Sequence, residues 1–485
     1  VYLPYMNSKE SANTMKSNQT IEAMSFDIAN LRAAYAGTSL SPVDVIEEVY
    51  RRIAARGEDF VWTSLVAKEE ALNNAEHLLS VDANSLPLYG IPFSVKDNIH
   101  VKDLPTTASC PDFSHFPEDS ASVVKKLIAA GAILIGKNTM DQFATGLVGV
   151  RSPGHPVNSF NPEYIPGGSS SGSGVAVAVG LVSFSLGSDT GGSGRIPAAL
   201  NNIVGLKPTP GLISTAGMVY ANRSFDCVPI FALTCADAKQ VLDQAVGVDI
   251  SDATLRSRQQ SDKQSPSNIP SSLGQLVVAV PDLANREFFG DSLAEQCFND
   301  AIARMESLGA EVVEIDFSHF LEAGKMLFDG PLLAERYSSL ESFLTTNPDS
   351  VNSNVKAIVE KAKQYSAVDL CKEYYRITEL KAITRVALSN IDILMVPTAG
   401  TIYTIDEVAA DPVKLNTNMG YYTYYANILQ LSALAVPAAI RPDGLPFGVC
   451  FLAGPQEEAA LVALGREWQN DTGLLLGDKA ALSLL

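Results

Sequence analysis

Two glycine-serine blocks lie close together in this chain. The first is Pro166-Gly167-Gly168-Ser169-Ser170-Ser171-Gly172-Ser173-Gly174; after the apolar run 175–182 comes Gly187-Ser188-Asp189-Thr190-Gly191-Gly192-Ser193-Gly194-Arg195. Glycine lets backbone amides come close to a reacting centre, and successive amides at a turn or helix start can hold a developing negative charge. Serines beside such amides are candidate nucleophiles for acyl transfer.

A flexible linker is the ordinary reading of Gly/Ser composition, but the apolar run between the blocks argues against it. A phosphate cradle fits no better, because no G-x-x-x-x-G-K-[ST] is present and no G-x-G-x-x-G opens a helix after a clear strand. Gly168 to Gly172 formally satisfies G-x-S-x-G with Ser170 at its centre. That elbow needs an apolar strand before it and a late histidine. Here the preceding residues are Asn161-Pro162-Glu163-Tyr164-Ile165-Pro166, and the last of five histidines is His319. Without a histidine the base must be another group. A lysine serves once burial or neighbouring positive charge populates its neutral amine, and Lys96 is the candidate.

These residues need a framework to hold them, and the sequence supplies an α/β one. Ser41-Pro42 is an N-cap followed by an N1 proline, with Val43, Ile46, Val49, Tyr50 and Ile53 at helical spacing. The alternation in Ile91-Pro92-Phe93-Ser94-Val95-Lys96 predicts a strand carrying Lys96 at its far end. Val123, Val124, Leu127 and Ile128 form a helical stripe ending at Gly131, which hands over to a buried strand at 132–135. The segment 251–272, rich in Ser, Gln, Asn and Pro, reads as an exposed connection open to proteolysis rather than a domain boundary. Beyond it the alternation resumes, with strands at 276–280 and 311–315 flanking a helix marked by Leu293, Cys297, Ala301, Met305 and Leu308. No solenoid repeat or heptad run is present.

Composition bounds the function. With 485 residues, 46% hydrophobic and 18% charged, the chain can bury one large core or two moderate ones, and disorder is excluded as the main theme. Its 35 basic against 54 acidic residues, a net charge of -19, argue against a nucleic-acid binder or an anionic-membrane sensor. A small, non-polyanionic partner fits better. The six cysteines show no C-x-x-C and no metal-type spacing, which reads as reduced thiols in an intracellular protein without a zinc site. The polar start, 1–20, lacks the apolar core of a signal peptide. The uncharged stretches 164–188 and 415–440 are too rich in Gly and Ser, or Asn, Tyr and Pro, for membrane helices. A cytoplasmic setting is the expectation.

Gly90-Ile91-Pro92-Phe93-Ser94-Val95-Lys96-Asp97-Asn98, the 167–174 block and Asp189-Thr190-Gly191-Gly192-Ser193-Gly194-Arg195 resemble, in order and spacing, the amidase signature family. The resemblance implies an α/β fold with a central mixed β-sheet surrounded by α-helices. It implies a Ser-Ser-Lys triad: Ser193 as nucleophile, Ser169 as a bridging serine after a cis peptide bond, and Lys96 as base. It further implies an oxyanion hole from the amides around Thr190, Gly191 and Gly192, with no metal or cofactor.

Within that family, the segments 104–108, 140–149, 196–209 and 401–405 are similar to the subgroup that hydrolyses allophanate, and the similarity covers residues 25–470. It implies a urea-breakdown role in nitrogen metabolism and a homodimer. Substrate would contact Gly146, Ser170, Phe328 and Arg336, with the planar guanidinium facing a carboxylate. A helix-surface arginine paired with Glu335 is the plainer alternative. Two departures leave the exact substrate open: a tyrosine is expected at Phe328 and an alanine at Gly191. The implied organisation is a polar segment 1–24, a catalytic domain 25–472 and a tail 473–485, the subgroup's further C-terminal domain being absent from this chain. The expected activity is amidohydrolase cleavage of a small ureide with release of ammonia. The alternatives are a family amidase acting on another small amide (biuret, malonamate, an aliphatic or aryl amide) and a catalytically retired, amidotransferase-like member of an assembly.

Overall fold

The helix Pro42–Arg56 begins where the Ser41-Pro42 signature places it. Ser41 Oγ accepts from the Asp44 N–H, the Asp44 carboxylate returns to the Ser41 N–H, and Val45, Ile46 and Val49 form the buried face. In this computed structural model, which describes residues 21–22, 24–255 and 267–478, that helix is one of many packed around a single mixed sheet. The expected segment 1–24 falls largely outside the described residues, as do 256–266 of the expected connection and 479–485 of the expected tail.

Among the described residues, eleven strands make up the sheet: β1 Trp62–Leu65, β2 Pro92–Lys96, β3 Ile133–Asn138, β4 Phe184–Leu186, β5 Val204–Lys207, β6 Ile230–Ala232, β7 Val277–Pro281, β8 Glu311–Ile315, β9 Ile393–Pro397, β10 Ser432–Ile440 and β11 Pro446–Ala453. Their order is β1-β3-β2-β4-β6-β5-β10-β11-β9-β7-β8. β2 runs parallel to β3 and β4, whereas β5, β6, β10 and β11 pair antiparallel. Strands β2 to β6 are buried along their whole length, as expected of strands covered by helices on both faces. The predicted strands after the connection are present as β7 and β8, with the helix Ser292–Ser307 between them.

The run 175–182 is not one element. A helix, Ser171–Ala178, starts inside the first glycine-serine block, turns at Gly180 (φ +70°) and gives way to β4. Glycine permits this early start by contact: a Cβ at Gly172 would lie 2.5 Å from the Val61 carbonyl oxygen and 2.8 Å from the Thr139 nitrogen. The helix therefore beds against the chain leaving β3, and its first turn faces the end of β2 that carries Lys96.

The edges of the 251–272 connection are tied down. Asp252 accepts from the Thr215 N–H at 2.7 Å, and Glu467 accepts from the Leu273 N–H at 2.8 Å. At the far end, the Gly477 N–H donates to the Asn202 carbonyl and the Asp478 N–H to that of Ala178. Among the described residues no helix is long and apolar enough to cross a membrane, and no group of three or more His, Cys, Asp or Glu side chains converges to hold a metal ion.

Candidate active site

Lys96 ends β2, Ser169 precedes the Ser171–Ala178 helix, and Ser193 lies in the loop after β4. Because β2 and β4 are parallel neighbours, their ends deliver these groups to one place. Lys96 Nζ is 2.7 Å from Ser169 Oγ, which is 2.9 Å from Ser193 Oγ. The Gly168-Ser169 peptide is cis. All three side chains are buried. Lys96 Nζ also lies 2.8 Å from Ser188 Oγ and 3.3 Å from the Ser188 carbonyl oxygen, and Asn98 Nδ2 donates to the same hydroxyl at 3.2 Å.

Burial pushes the Lys96 amine down to about 7, with Asp141, Asp189 and Asp226 pulling the other way and Arg336 adding to the decrease. A lysine that loses its proton near neutrality can accept one from a hydroxyl. The run from amine to hydroxyl to hydroxyl is thus a path by which a proton can leave Ser193.

The loop that carries Ser193 is clamped by Asp189. Its carboxylate accepts from the Gly192 N–H at 2.8 Å and the Gly194 N–H at 2.9 Å, and from Arg195 Nε at 3.0 Å and Nη2 at 3.1 Å. Burial alone would raise the acid, but Arg195 more than offsets it and holds the carboxyl below its ordinary value. The later chain holds the loop too: Thr423 Oγ1 donates to the Gly191 carbonyl at 2.8 Å, and Asn427 Nδ2 to that of Asp189 at 2.7 Å. Of the expected oxyanion amides, that of Gly192 is therefore turned to Asp189. The Thr190 and Gly191 N–H groups make no hydrogen bond among the described residues.

Arg336 is fully buried, not a surface arginine paired with Glu335. Its Nη1 donates to Thr145 Oγ1 at 2.7 Å and to the Ala144 carbonyl at 3.2 Å, and its Nη2 to Asn222 Oδ1 at 3.1 Å, while Nε is buried without a partner among the described residues. Glu335 instead accepts from the Ser224 N–H and from the Tyr374 hydroxyl. Burial lowers Arg336 to about 10 against the pull of Asp226, so the guanidinium stays charged at neutral pH. The Phe328 ring sits 5.0 Å from it and 4.7 Å from the Tyr424 ring.

The two departures from the family pattern meet in space. A Cβ at Gly191 would come within 2.5 Å of Leu327 Cδ2, 2.9 Å of Tyr424 Cδ1 and 3.6 Å of Phe328 Cε2. The room an alanine methyl would take is occupied here by the wall that carries Phe328. Ser170 is buried with Oγ directed to the Ser188 carbonyl at 3.2 Å. Gly146 lies against Asp141, and the next residue, Leu147, accepts from the Gly168 N–H at 2.8 Å. The site also takes in Ser188, Asn98, Asp189, Asp226, Asn222, Thr423 and Asn427, which sequence reasoning missed. Ser188 and Asp189 stand inside the second glycine-serine block and Asn98 two residues beyond Lys96, whereas the others sit in segments with no chemical signal.

The family profile described as Amidase matches residues 44–462. The urea amidolyase of Saccharomyces cerevisiae is 42% identical over 422 residues, covering 85% of this chain and 22% of that protein. A glutamyl-tRNA(Gln) amidotransferase polypeptide of Exiguobacterium sibiricum is 32% identical over 477 residues, covering 92% of this chain and 97% of that protein. The solved allophanate hydrolase of Kluyveromyces lactis matches with a TM-score of 0.85 at 37% identity, covering 92% of this chain and 72% of that one. The chain thus spans 22% of the length of the yeast urea amidolyase it matches.

Proposed function

The chain belongs to the amidase family, and from that premise we propose that it hydrolyses a small anionic ureide, allophanate (urea-1-carboxylate), by acyl transfer to Ser193 with release of ammonia. The observation that carries this reading is the hydrogen-bonded run from Lys96 through Ser169 to Ser193, set in the same buried region as the cation of Arg336. Similarity to the Kluyveromyces lactis allophanate hydrolase supports it.

With its amine neutral, Lys96 takes the proton of Ser169 as Ser169 takes that of Ser193, and Ser193 Oγ attacks the carbonyl carbon. The charge developing on the carbonyl oxygen is met by the unengaged N–H groups of Thr190 and Gly191. Gly192 serves by remaining bound to Asp189, which fixes the loop. The relay returns the proton to the departing nitrogen, the C–N bond breaks, ammonia leaves, and an acyl ester remains on Ser193. Water then gives a proton to the same relay as it attacks the ester, and Ser193 is regenerated. Arg336 holds the substrate carboxylate with its unpaired Nε–H, beneath the Phe328 ring. Gly146 and Ser170, which the resemblance implies as substrate contacts, belong to the same reading.

A second reading within the family, a different small amide, is favoured by one observation. The wall beside Gly191 is built from Leu327, Tyr424 and a hydroxyl-free Phe328, which suits a less polar acyl donor. Ammonia release from the purified chain offered allophanate, biuret, malonamate and a simple aliphatic amide in parallel separates the two. Allophanate should be turned over fastest. Equal or faster release from a neutral amide moves the activity to the second reading, and no release from any substrate points to a catalytically retired member of an assembly.

A further inference from the structure

Asp226 is buried without an ion-pair partner among the described residues, although Arg336 is close enough for its charge to be felt. Its carboxylate is satisfied by uncharged donors alone. Oδ1 accepts from Thr190 Oγ1 at 2.5 Å, Oδ2 from the Ala221 N–H at 2.8 Å, and both oxygens from the Asn222 N–H at 3.2 Å. Asn222 in turn accepts from Arg336 and donates to the Leu332 carbonyl just before the helix Leu333–Thr346 that carries Arg336. On the other side, Asp189 and Cys227 exchange backbone hydrogen bonds at 2.9 and 3.0 Å, so the 221–227 segment runs from the arginine to the base of the nucleophile loop.

Burying a charged group without a counter-ion is costly. Burial pushes the Asp226 carboxyl up to about 6, with Thr190, Ala221, Asn222 and Arg336 opposing the rise. The Ala221 and Asn222 N–H groups need an acceptor there, which an uncharged side chain could supply. What a carboxylate adds is a strong, directional acceptor for the Thr190 hydroxyl as well, and the Thr190 amide is itself unengaged.

We propose that Asp226 is a positioning residue for the nucleophile loop: its carboxylate holds the Thr190 hydroxyl so that the Thr190 and Gly191 amides face the reacting carbonyl, and through Asn222 it ties that loop to Arg336. This rests on the reading of Thr190, Gly191 and Arg336 given above. A threonine freed from Asp226 can rotate and carry its amide away from the developing oxyanion, so the loss falls on kcat rather than on KM.

The test is a double-mutant cycle in the full chain, with kcat and KM measured by ammonia release. Thr190→Val and Asp226→Asn should each lower kcat about tenfold or more while KM moves less than about threefold, and the double variant should lose no more than the worse single one. Thr190→Ser, which keeps the hydroxyl, should retain at least about a third of the parental kcat. Losses that multiply in the double variant, or that fall on KM alone, overturn the proposal. If Asp226→Asn does not fold, the Thr190 pair decides: Val with parental kcat, or Ser as impaired as Val, overturns it. Arg336→Gln assayed on allophanate and on neutral biuret reports separately on the underlying reading. An equal effect on both sinks that reading of Arg336 whatever the cycle gives.

Discussion

Lys96 meets Ser169 at 2.7 Å, and among the described residues no carboxylate lies in ion-pair contact with its amine. Its remaining partners are the hydroxyl and carbonyl of Ser188. A buried ammonium surrounded by uncharged acceptors is poorly compensated, which is why its proton is held weakly.

That relationship sets the pH dependence. The folded protein lowers Lys96 to about 7, so the neutral amine that the proposed mechanism needs is present above that pH and is lost as pH falls through it. The acid limb of kcat/KM should therefore have its midpoint near 7, and Lys96→Arg should be inactive throughout because a guanidinium does not deprotonate. A flat profile between pH 5 and 9 (roughly the range in which a shifted lysine can titrate) would remove lysine as the base.

Ser193→Ala removes the atom proposed to form the ester, and turnover should fall at least about a thousandfold. Ser169→Ala interrupts the proton path but leaves the nucleophile, so an acyl-enzyme should still form slowly and be visible by intact-mass spectrometry after a quench. Activity within a few-fold of the parent in Ser193→Ala would disprove the nucleophile.

Arg336→Gln should lose mainly affinity for an anionic ureide. Truncating one partner of a desolvated charge pair costs about 2–5 kcal/mol, so kcat/KM should drop well over tenfold. Arg336→Lys should recover only part, since an ammonium cannot reach Thr145, Ala144 and Asn222 together. Parental kinetics in both variants would mean that the substrate does not meet this arginine.

Gly191→Ala tests the altered wall. The added methyl would meet Leu327 at 2.5 Å, and overpacking of this kind costs about 1–3 kcal/mol, here felt at the oxyanion amides. We expect kcat to fall several-fold and Leu327→Val, added to it, to recover most of the loss. Phe328→Tyr should then raise turnover of allophanate if the pocket is otherwise built for it; a decrease marks a pocket shaped for another acyl donor.

Stability should be most sensitive at Arg195. Its guanidinium serves Asp189, the Thr423 carbonyl and Asn427 Oδ1 in a fully buried position. Arg195→Met strands the Asp189 charge and should cost about 3–5 kcal/mol in urea unfolding. A change below about 1 kcal/mol would mean that the clamp is dispensable for folding.

Much of the framework was legible because local signals sufficed: the cap at Ser41, the alternation ending at Lys96, the stripe before Gly131. The convergence of Lys96, Ser169 and Ser193 followed from no local signal but from the family resemblance, since a strand-end lysine alone points to the surface. Other features depend on partners far away in sequence. The early start of the Ser171–Ala178 helix follows from the close approach of Val61 and Thr139, which composition does not reveal. Arg336 next to Glu335 has the pattern of a solvated pair; only the approach of residues 144–145 and 222 shows it buried. The Gly192 amide was expected to face substrate, but Asp189 three residues earlier claims it. Asp226 and Asn222 carry no motif, and their significance lies wholly in what they touch.

The hold of Asn427 on the Asp189 carbonyl spans 238 residues of chain, and this separation matters while the protein is being made. At roughly 5–20 residues per second, ribosomal synthesis reaches Asn427 many seconds after Ser193 has emerged. Until then the nucleophile loop lacks both Thr423 and Asn427, and β5 lacks its neighbour β10. The nascent chain therefore carries Lys96, Ser169 and Ser193 before the contacts that hold the Ser193 loop exist, and hydrolytic competence should switch on only after synthesis has passed Asn427.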